Sequence, residues 1–297
     1  MISKLKEYWY RQDKVAYIFL APSIVILFMF AFIPLVCSVV ISVMNLDIFF
    51  SDVRFAGLAN FLKAFGDERF WNALKNTVLF AVVEVSLQVV IGLLIANALS
   101  GTALFSRMAR SVFFVPVVCS MAAIGIVWSL LLDGTIGMIP YFIKEWFGIT
   151  GLSFFRDSGT AMGTVIAMTV WKNFGYTMSI LVVGIQAIPT DYFEAAKIDG
   201  ASRVQQFFWI TIPQLLPSLG FCLITNLIGS LQVFDQVYVT TGGGPQRKTE
   251  TLVYYIYKIG FTNPFDLGYA SAISVLLLIV ILAISLPVYF KMFKAEE

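Results

Sequence analysis

The sequence contains no histidine, only three cysteines and few charged residues, and each shortage excludes a class of protein. Charged residues make up 13% of the 297, and hydrophobic residues make up 59%. About a quarter of the residues in a soluble domain are charged, so we interpret the chain as an integral membrane protein. Cys37, Cys119 and Cys222 lie in apolar runs without a nearby partner, which is typical of small packing residues and not of disulfides or a metal site.

Further absences concern chemistry and partners. No G-x-x-x-x-G-K-S/T pattern is present, so the chain does not hydrolyse ATP through a phosphate-binding loop of that kind. A membrane-embedded enzyme is a weak alternative, because the sequence has no metal-ligand cluster and no serine or cysteine beside a base. The net charge of +2 is too small to indicate a nucleic-acid partner.

Six apolar segments are long enough to cross a membrane, whose hydrocarbon core is about 30 Å thick and needs about 20 helical residues. An open chain in lipid must satisfy its own backbone hydrogen bonds, so each segment is expected to be a helix. The sequence therefore predicts an all-α integral membrane protein with six transmembrane helices near Val15–Val43, Asn76–Leu99, Val112–Leu132, Gly163–Gln186, Leu216–Val239 and Gly268–Phe290.

Basic residues before the first span set the predicted topology. Lys4, Lys6, Arg11 and Lys14 precede it, and an excess of Lys and Arg marks the cytoplasmic side. We expect a cytoplasmic segment over residues 1–14, a single transmembrane domain over 15–290 and a cytoplasmic tail over 291–297, which contains Lys291 and Lys294. The loop 189–213 is then cytoplasmic as well.

This loop, Pro189–Pro213, carries the signals of two short helices. Pro189 ends the fourth span. Asp191 followed by Glu194 three residues later has the pattern of a capping box, which predicts a helix from Tyr192 to Ile198. Gly200 then provides a C-terminal cap, where a left-handed backbone costs glycine nothing.

The second helix of the loop is predicted to begin at Ser202, which forms another capping box with Gln205. Pro213 is expected to stop this helix. Three apolar residues at helical spacing are expected to rest on the helix bundle or on lipid: Val204, Phe207 and Phe208. On these local signals alone, an interfacial hairpin that only connects two spans is as good an interpretation as a docking site.

The spacing within the loop resembles a known motif. Glu194-Ala195-Ala196, three residues, Gly200, nine residues, Ile210, one residue and Ile212-Pro213 is similar to the EAA loop of ABC importer permeases, with Ile212 in place of leucine. The outer segments Phe234-Asp235 and Thr240–Pro245 resemble the carbohydrate-uptake permeases of the maltose-transporter type, and among these the first of the two permease subunits.

The resemblance implies a division of labour between chains. Two separate ATP-binding subunits would bind ATP and Mg, so this chain needs no cofactor of its own. A homologous second permease, an extracytoplasmic solute-binding protein and a carbohydrate would complete the assembly in the cytoplasmic membrane of a bacterium, although a homodimer of this chain stays open. The residues that would couple to the ATPase are Glu194, Ala195, Ala196, Asp199, Gly200, Ala201, Ile210 and Pro213.

Polar residues inside the predicted spans indicate where the substrate would pass. A charge in mid-span costs about 2.5–3.5 kcal/mol, so its presence suggests a cavity or a partner. Glu84, with Gln88 one turn later, would line the path or pack against another subunit. Lys172 would line the path or extend its ammonium group to the membrane interface.

The resemblance implies further positions for the path. Asn173 and Tyr176 match the span-four positions that line the sugar pocket of the maltose-type permease. Asn226, Gly229, Ser230 and Val233 match the span-five positions, and they recur on one helix face. Together with Lys172 and Asp235 they form the predicted substrate path for an oligosaccharide or glycoside.

The alternative function is a secondary carrier driven by an ion gradient. Such carriers are often built from inverted repeats with broken helices at mid-membrane. No convincing repeat relates the two halves of this sequence, and it has no cluster of ionisable residues typical of a proton relay. The EAA-like loop also has no role in a carrier.

Overall fold

A computed structural model of the chain describes residues 12–51 and 53–293. Lys4, Lys6, Arg11 and Lys294, on which part of the topology prediction rests, lie outside the described residues. The predicted boundaries of the terminal segments and the side of the membrane on which they lie therefore stay predictions.

The described part of the chain is almost entirely helical. Two five-residue π-helical turns, Phe28–Phe32 and Phe207–Thr211, interrupt longer helical stretches, and one short antiparallel hairpin pairs β1 (Met44–Asn45) with β2 (Arg54–Phe55). The helices are α1 (Gln12–Leu27), α2 (Ile33–Ser42), α3 (Ala59–Gly66), α4 (Glu68–Ala98), α5 (Leu104–Val118), α6 (Met121–Leu131), α7 (Met138–Phe147), α8 (Ala161–Gln186), α9 (Thr190–Ile198), α10 (Arg203–Gln206), α11 (Ile212–Gln214), α12 (Leu216–Leu231), α13 (Asp235–Thr240), α14 (Leu252–Phe261) and α15 (Leu267–Phe293).

Four helical stretches are long and apolar enough to cross a membrane without a break: Ala16–Ser42, Glu68–Ala98, Ala161–Gln186 and Leu267–Lys291. Two further candidates are helix pairs bent by more than 40°. The described residues thus contain four to six candidate spans, and the predicted six are reached when each bent pair counts as one crossing.

The third predicted span is not a continuous helix. It begins earlier than expected, at Leu104, and α5 and α6 meet at 96° across Cys119 and Ser120. Both of these residues have extended backbone. Pro116, in the last turn of α5, has no backbone N–H to continue the helical hydrogen bonds, which favours a break at this point.

The fifth predicted span differs at both ends. Pro213 does not stop the preceding helix, because the chain stays helical through α11 and bends by 68° at Leu215 before α12. Pro213 and Pro217 flank this bend, and each removes one backbone donor. At the other end α12 stops at Leu231, and α13 is a separate helix.

The second span starts eight residues before the predicted Asn76. Asp67 caps α4 through its side chain, which accepts a hydrogen bond from the Arg69 amide at 2.9 Å. Glu68, Arg69, Asn72 and Lys75 alternate with apolar residues in the first two turns, so these turns lacked the continuous apolar signal used to place the span.

The chain divides into two compact units, the first of which comprises residues 1–66 and 256–276. Within it the Asn60 side-chain amide donates to the carbonyl oxygens of Ser42 and Met44, at 3.1 and 2.9 Å. Lys63 pairs with Asp266 at 2.8 Å. These bonds fasten α3 and the start of α15 to the hairpin.

The second unit comprises residues 67–255 and 277–297, and its helices approach each other through glycines. A Cβ on Gly92 of α4 would lie 2.9 Å from the Thr177 side chain in α8, and one on Gly175 of α8 would collide with the Phe113 carbonyl group in α5. Small residues at such positions let helix backbones come close together.

The cysteines follow the prediction only in part. Cys222 is fully buried in an apolar cluster of the second unit, which confirms its packing role. Cys37 and Cys119 are exposed on the chain, and all three thiols are free. Cys37 and Cys119 thus do not pack inside this chain, and their predicted role as packing residues stays a prediction.

Candidate functional site

A cavity of about 230 Å³ opens between helices of the second unit. Its wall is built from residues on three helices, most of them polar, together with Val117 and Gln236. Helix α4 contributes Phe80, Glu84 and Gln88, α8 contributes Thr169, Asn173 and Tyr176, and α12 contributes Thr225, Asn226, Gly229 and Ser230.

A second cavity, of about 250 Å³, shares Asn173, Gly229 and Gln236 with the first. It adds Lys172, Val233 and Asp235 from the predicted substrate path. All eight residues of that path therefore border one cavity or both. Their role toward a substrate stays a prediction.

Thr177 joins the helices around the first cavity. Its Oγ1 accepts hydrogen bonds from Gln88 Nε2 and from Asn226 Nδ2, both at 3.0 Å. Gln88 Nε2 also lies 3.4 Å from the Asn173 carbonyl oxygen. Thr177 is fully buried, so one hydroxyl in α8 fixes the position of amides in α4 and α12.

Three other hydroxyls on the cavity wall are turned toward their own helices. Thr169 donates to the Val165 carbonyl oxygen at 2.8 Å, Thr225 to that of Phe221 at 2.9 Å, and Ser230 to that of Leu227 at 3.1 Å. A hydroxyl has one proton, so each of these leaves only lone pairs for a ligand.

Glu84 borders the cavity with only 3% of its surface exposed. Among the described residues its carboxylate takes part in no hydrogen bond or ion pair. The structure thus places Glu84 on the cavity wall, and its predicted roles in a substrate path or in subunit packing stay predictions.

Lys172 is also held inside the protein. Its ammonium group donates to the Val117 carbonyl oxygen at 3.1 Å and to Asn173 Oδ1 at 3.4 Å. Val117 lies in the last turn of α5, whose carbonyl groups have no partner in the helix and favour a cation. The structure thus places Lys172 on the wall of the second cavity, and both of its predicted roles stay predictions.

The loop between the fourth and fifth spans presents its first helix to the outside. No residue of α9 is buried, and Ile198 is 87% exposed. At its end the Ala201 amide donates to the Ala196 carbonyl oxygen and the Gly200 amide to that of Lys197. These are the two hydrogen bonds of a Schellman cap, and with φ of +79° at Gly200 they confirm the predicted C-terminal cap.

A family model described as "Binding-protein-dependent transport system inner membrane component" matches residues 88–294, more than half of the chain. The chain belongs to this family. It is a transport subunit of an ABC importer, as the EAA-like spacing predicted, and not an enzyme.

Individual relatives cover nearly the whole permease. Probable ABC transporter permease protein YurN of Bacillus subtilis (strain 168) is 37% identical over 291 residues, which are 96% of this chain and 98% of YurN. Trehalose/maltose transport system permease protein MalF of Thermococcus litoralis is 32% identical over 294 residues, which are 98% of this chain and 96% of MalF.

A solved structure shares the fold of the permease. It is the crystal structure of a bacterial ABC transporter involved in the import of the acidic polysaccharide alginate, with a TM-score of 0.83 at 20% sequence identity. The match covers 99% of this chain and 100% of that chain.

The caps of the permease loop agree with the prediction at Ser202 and differ at Asp191. Ser202 and Gln205 form both hydrogen bonds of a capping box, so this prediction is confirmed. Asp191 is not a cap, because α9 begins at Thr190 directly after Pro189 and lacks a side-chain cap. Asp191 instead lies in the first turn, where its charge complements the helix dipole.

An ion-pair network holds the loop 241–251 of the permease on the start of α4. The Arg69 guanidinium donates to both carboxylate oxygens of Glu250, at 2.9 and 2.6 Å. Asn76 donates to the carbonyl oxygens of Arg247 and Glu250. Burial raises the pKa of the nearby Tyr254 hydroxyl, and the Glu250 charge raises it further.

Several residues of the permease site were missed from the sequence. Thr177, Thr169 and Gln236 carry hydroxyl or amide groups at the cavities but were not singled out. Thr169, Asn173 and Thr177 recur at intervals of four, so polar spacing along α8 was an available signal. Arg69 had no such signal, because its partner Glu250 lies 181 residues away.

Proposed function

We propose that this permease carries an oligosaccharide or glycoside across the cytoplasmic membrane in an ATP-driven, binding-protein-dependent importer. The observation that carries the proposal is the polar cavity between α4, α8 and α12. Amides and hydroxyls such as those of Asn173, Asn226 and Ser230 are the groups that match sugar hydroxyls. The similarity to a trehalose/maltose permease supports the same class of substrate.

ATP hydrolysis is proposed to reach the cavity through α9. None of its residues is buried in the chain, and capping fixes its C-terminal end at Gly200. A cleft in each ATP-binding subunit would receive such a helix, with Glu194 as the charged contact and Gly200 as the point of close approach. ATP and Mg would be bound by the ATP-binding subunits.

The remaining partners complete the proposed assembly. A homologous second permease, two ATP-binding subunits and an extracytoplasmic solute-binding protein would act together with this chain. The first candidate span, Ala16–Ser42, has none of its membrane-length window buried in the chain, so lipid or another subunit would cover it. In the proposed topology both termini and the loop 189–213 are cytoplasmic.

Transport measurements in vesicles would test the proposal. The complex purified with its partners is placed in vesicles, and uptake of a panel of labelled oligosaccharides is measured with and without trapped ATP and binding protein. We expect uptake only when both are present. Uptake that ignores ATP and collapses with the ion gradient would instead identify a secondary carrier.

A further inference from the structure

Three hydroxyls on the wall of the first cavity offer a ligand only acceptors. The hydroxyl protons of Thr169, Thr225 and Ser230 are directed at carbonyl oxygens of their own helices, at 2.8, 2.9 and 3.1 Å. Their oxygens therefore face the cavity only as acceptors.

Of the four amides on the same wall, those of Gln88 and Asn226 have used most of their donors. Gln88 Nε2 donates to Thr177 Oγ1 at 3.0 Å and lies 3.4 Å from the Asn173 carbonyl oxygen. Asn226 Nδ2 donates to the same Thr177 oxygen at 3.0 Å. An amide nitrogen has two protons, so one proton of Asn226 is left over, while the amide oxygens of Gln88 and Asn226 accept no hydrogen bond from a described residue.

Glu84 adds the strongest acceptor to this wall. It is 3% exposed and borders the cavity, and an ionised carboxylate offers two oxygens and no donor. A buried charge without a partner is unfavourable. A ligand that supplies donors to the two oxygens of Glu84 relieves this penalty, whereas an anionic ligand increases it.

The charges of the neighbouring cavity do not offset Glu84. Lys172 and Asp235, of opposite sign, both border the second cavity. The Lys172 ammonium group donates to Val117 and Asn173 and not to Glu84. The second cavity is thus bordered by one positive and one negative residue. Among the described residues that border the first cavity, Glu84 is the one that is charged.

We propose that Glu84 determines the specificity of the permease, selecting a sugar unit that presents hydroxyl or ammonium donors and excluding one that carries a carboxylate, sulfate or phosphate. Two neighbouring hydroxyls on a sugar ring match the two oxygens of the carboxylate, and an ammonium group matches its charge. The assignment rests on the proposed function and narrows it to uncharged or amino sugars.

Uptake of three probes of different charge tests the assignment: lactose, a glucosamine dimer and a galacturonate dimer. The complete complex in vesicles is compared with its Glu84→Gln and Glu84→Asp variants, all with the same binding protein. Because that protein is constant, a changed ratio between probes reports on the permease. ATP hydrolysis stimulated by the loaded binding protein is measured in parallel.

We expect the wild type to take up a neutral or amino sugar and to reject the galacturonate dimer. Glu84→Gln lowers uptake of the preferred sugar about 10- to 100-fold, the range of a hydrogen bond to a charged group, and raises the relative uptake of the acid. Glu84→Asp retains the rejection of the acid. Glu68→Gln makes the same change at the exposed start of the same helix and should leave uptake unchanged.

The results that would overturn the assignment of Glu84 differ from the result that would contradict the proposed function. Equal uptake of the neutral and acidic dimers by the wild type overturns the assignment, as does a Glu84→Gln variant with unchanged uptake and charge preference. If Glu84→Gln prevents assembly, then a Glu84→Asp complex that accepts the acid overturns it. No ATP-dependent uptake of any sugar would instead contradict the proposed function itself.

Discussion

The guanidinium of Arg69 and the carboxylate of Glu250 form a bidentate ion pair, with N–O distances of 2.9 and 2.6 Å. Glu250 is 1% exposed, and Arg69 also lies over the Tyr255 ring, 4.6 Å from its centroid. The pair joins the first turn of α4 to the loop 241–251, which ends at α14. This loop directly follows α13, whose first residue, Asp235, belongs to the predicted substrate path, so the pair holds a segment that adjoins the path in sequence.

Replacement of Arg69 by methionine is therefore expected to loosen the loop 241–251. Breaking a buried pair costs about 3–5 kcal/mol. A quarter of the Arg69 side chain is exposed to solvent, which screens its charge. We therefore expect the substitution to lower the stability of the loop by about 2–3 kcal/mol. Arg247 and Lys248 in the loop are exposed, and trypsin cleavage at these residues should become faster than in the wild type.

Two variants test whether the ion pair is the cause. Arg69→Met combined with Glu250→Leu removes both charges and should recover part of the loss, because no charge is left buried. Lys63→Met breaks the more exposed ion pair with Asp266 and should have little effect on the rate of trypsin cleavage. Cleavage of Arg69→Met at the wild-type rate would rule out the anchoring role.

Substitutions at the end of α9 are expected to uncouple transport from ATP hydrolysis. Gly200→Asp and Glu194→Lys should leave the permease inserted in the membrane but abolish uptake. A Cβ at Gly200 meets nothing within 4 Å in the chain, and the left-handed backbone, with φ of +79°, adds about 1 kcal/mol of strain. This strain is too small to unfold a protein, so a complete loss of uptake would point to contact with another subunit.

Gly148 provides a matched control for Gly200. It ends α7 with φ of +67°, and a Cβ there also meets nothing within 4 Å. Gly148→Asp thus introduces the same charge and a similar backbone strain away from the loop 189–213. Immunoblots of membranes should show all three variants at wild-type levels, with uptake kept only in Gly148→Asp. Wild-type uptake by Gly200→Asp would contradict the coupling role.

The caps of the loop were predictable because capping depends on residues only a few positions apart. Gly200 and the pair Ser202–Gln205 have the cap geometry that their spacing indicated. The prediction of a cap at Asp191 was wrong because Pro189, with its φ of −57°, already stands at the start of the helix. Asp191 has a side chain that can cap a helix, but the sequence does not reveal that a nearby proline takes the first position instead.

Contacts between residues far apart in the sequence were much harder to predict. The family resemblance and helical spacing together placed Asn226, Gly229 and Ser230 on one face, but Val233 lies beyond the end of α12. The contact of Asn226 with Thr177 in another helix could not be predicted in this way. The break at Cys119 was missed because apolar length alone cannot distinguish a straight span from two helices at 96°. The burial of Glu84 on a cavity wall likewise depends on which helices become neighbours.

Close packing between α5 and α8 is expected to depend on Gly175. A methyl group there would collide with the Phe113 carbonyl group, so Gly175→Ala must push the helices apart. We expect the free energy of unfolding to fall by about 1–3 kcal/mol, which is typical of overpacking. This loss would be measured as a lower melting temperature of the purified permease. Gly163→Ala is the control in the same helix, because a Cβ there meets nothing within 4 Å, and it should be neutral or stabilising. Equal effects of both variants would contradict the packing role.

Loss of the Thr177 hydroxyl should disturb α4, α8 and α12 together. Thr177→Val keeps the shape of the side chain but removes the shared acceptor of Gln88 and Asn226. A buried donor left without a partner costs about 1–3 kcal/mol, and two are affected. We expect a lower melting temperature together with reduced uptake, whereas Thr177→Ser, which keeps the oxygen, should retain most of both. If the valine variant matched the wild type, the hydroxyl would have no such role.

The predicted substrate path is tested most directly on α12. Asn226→Leu combined with Ser230→Leu removes two polar groups from the cavity wall and fills space with apolar atoms. Each lost polar contact is worth about 1–3 kcal/mol, so we expect uptake to fall at least tenfold while binding-protein-stimulated ATP hydrolysis persists. Ser86→Leu, on an exposed face of α4, is the matched control and should transport normally. Uptake that survives the double substitution would mean that the sugar passes elsewhere.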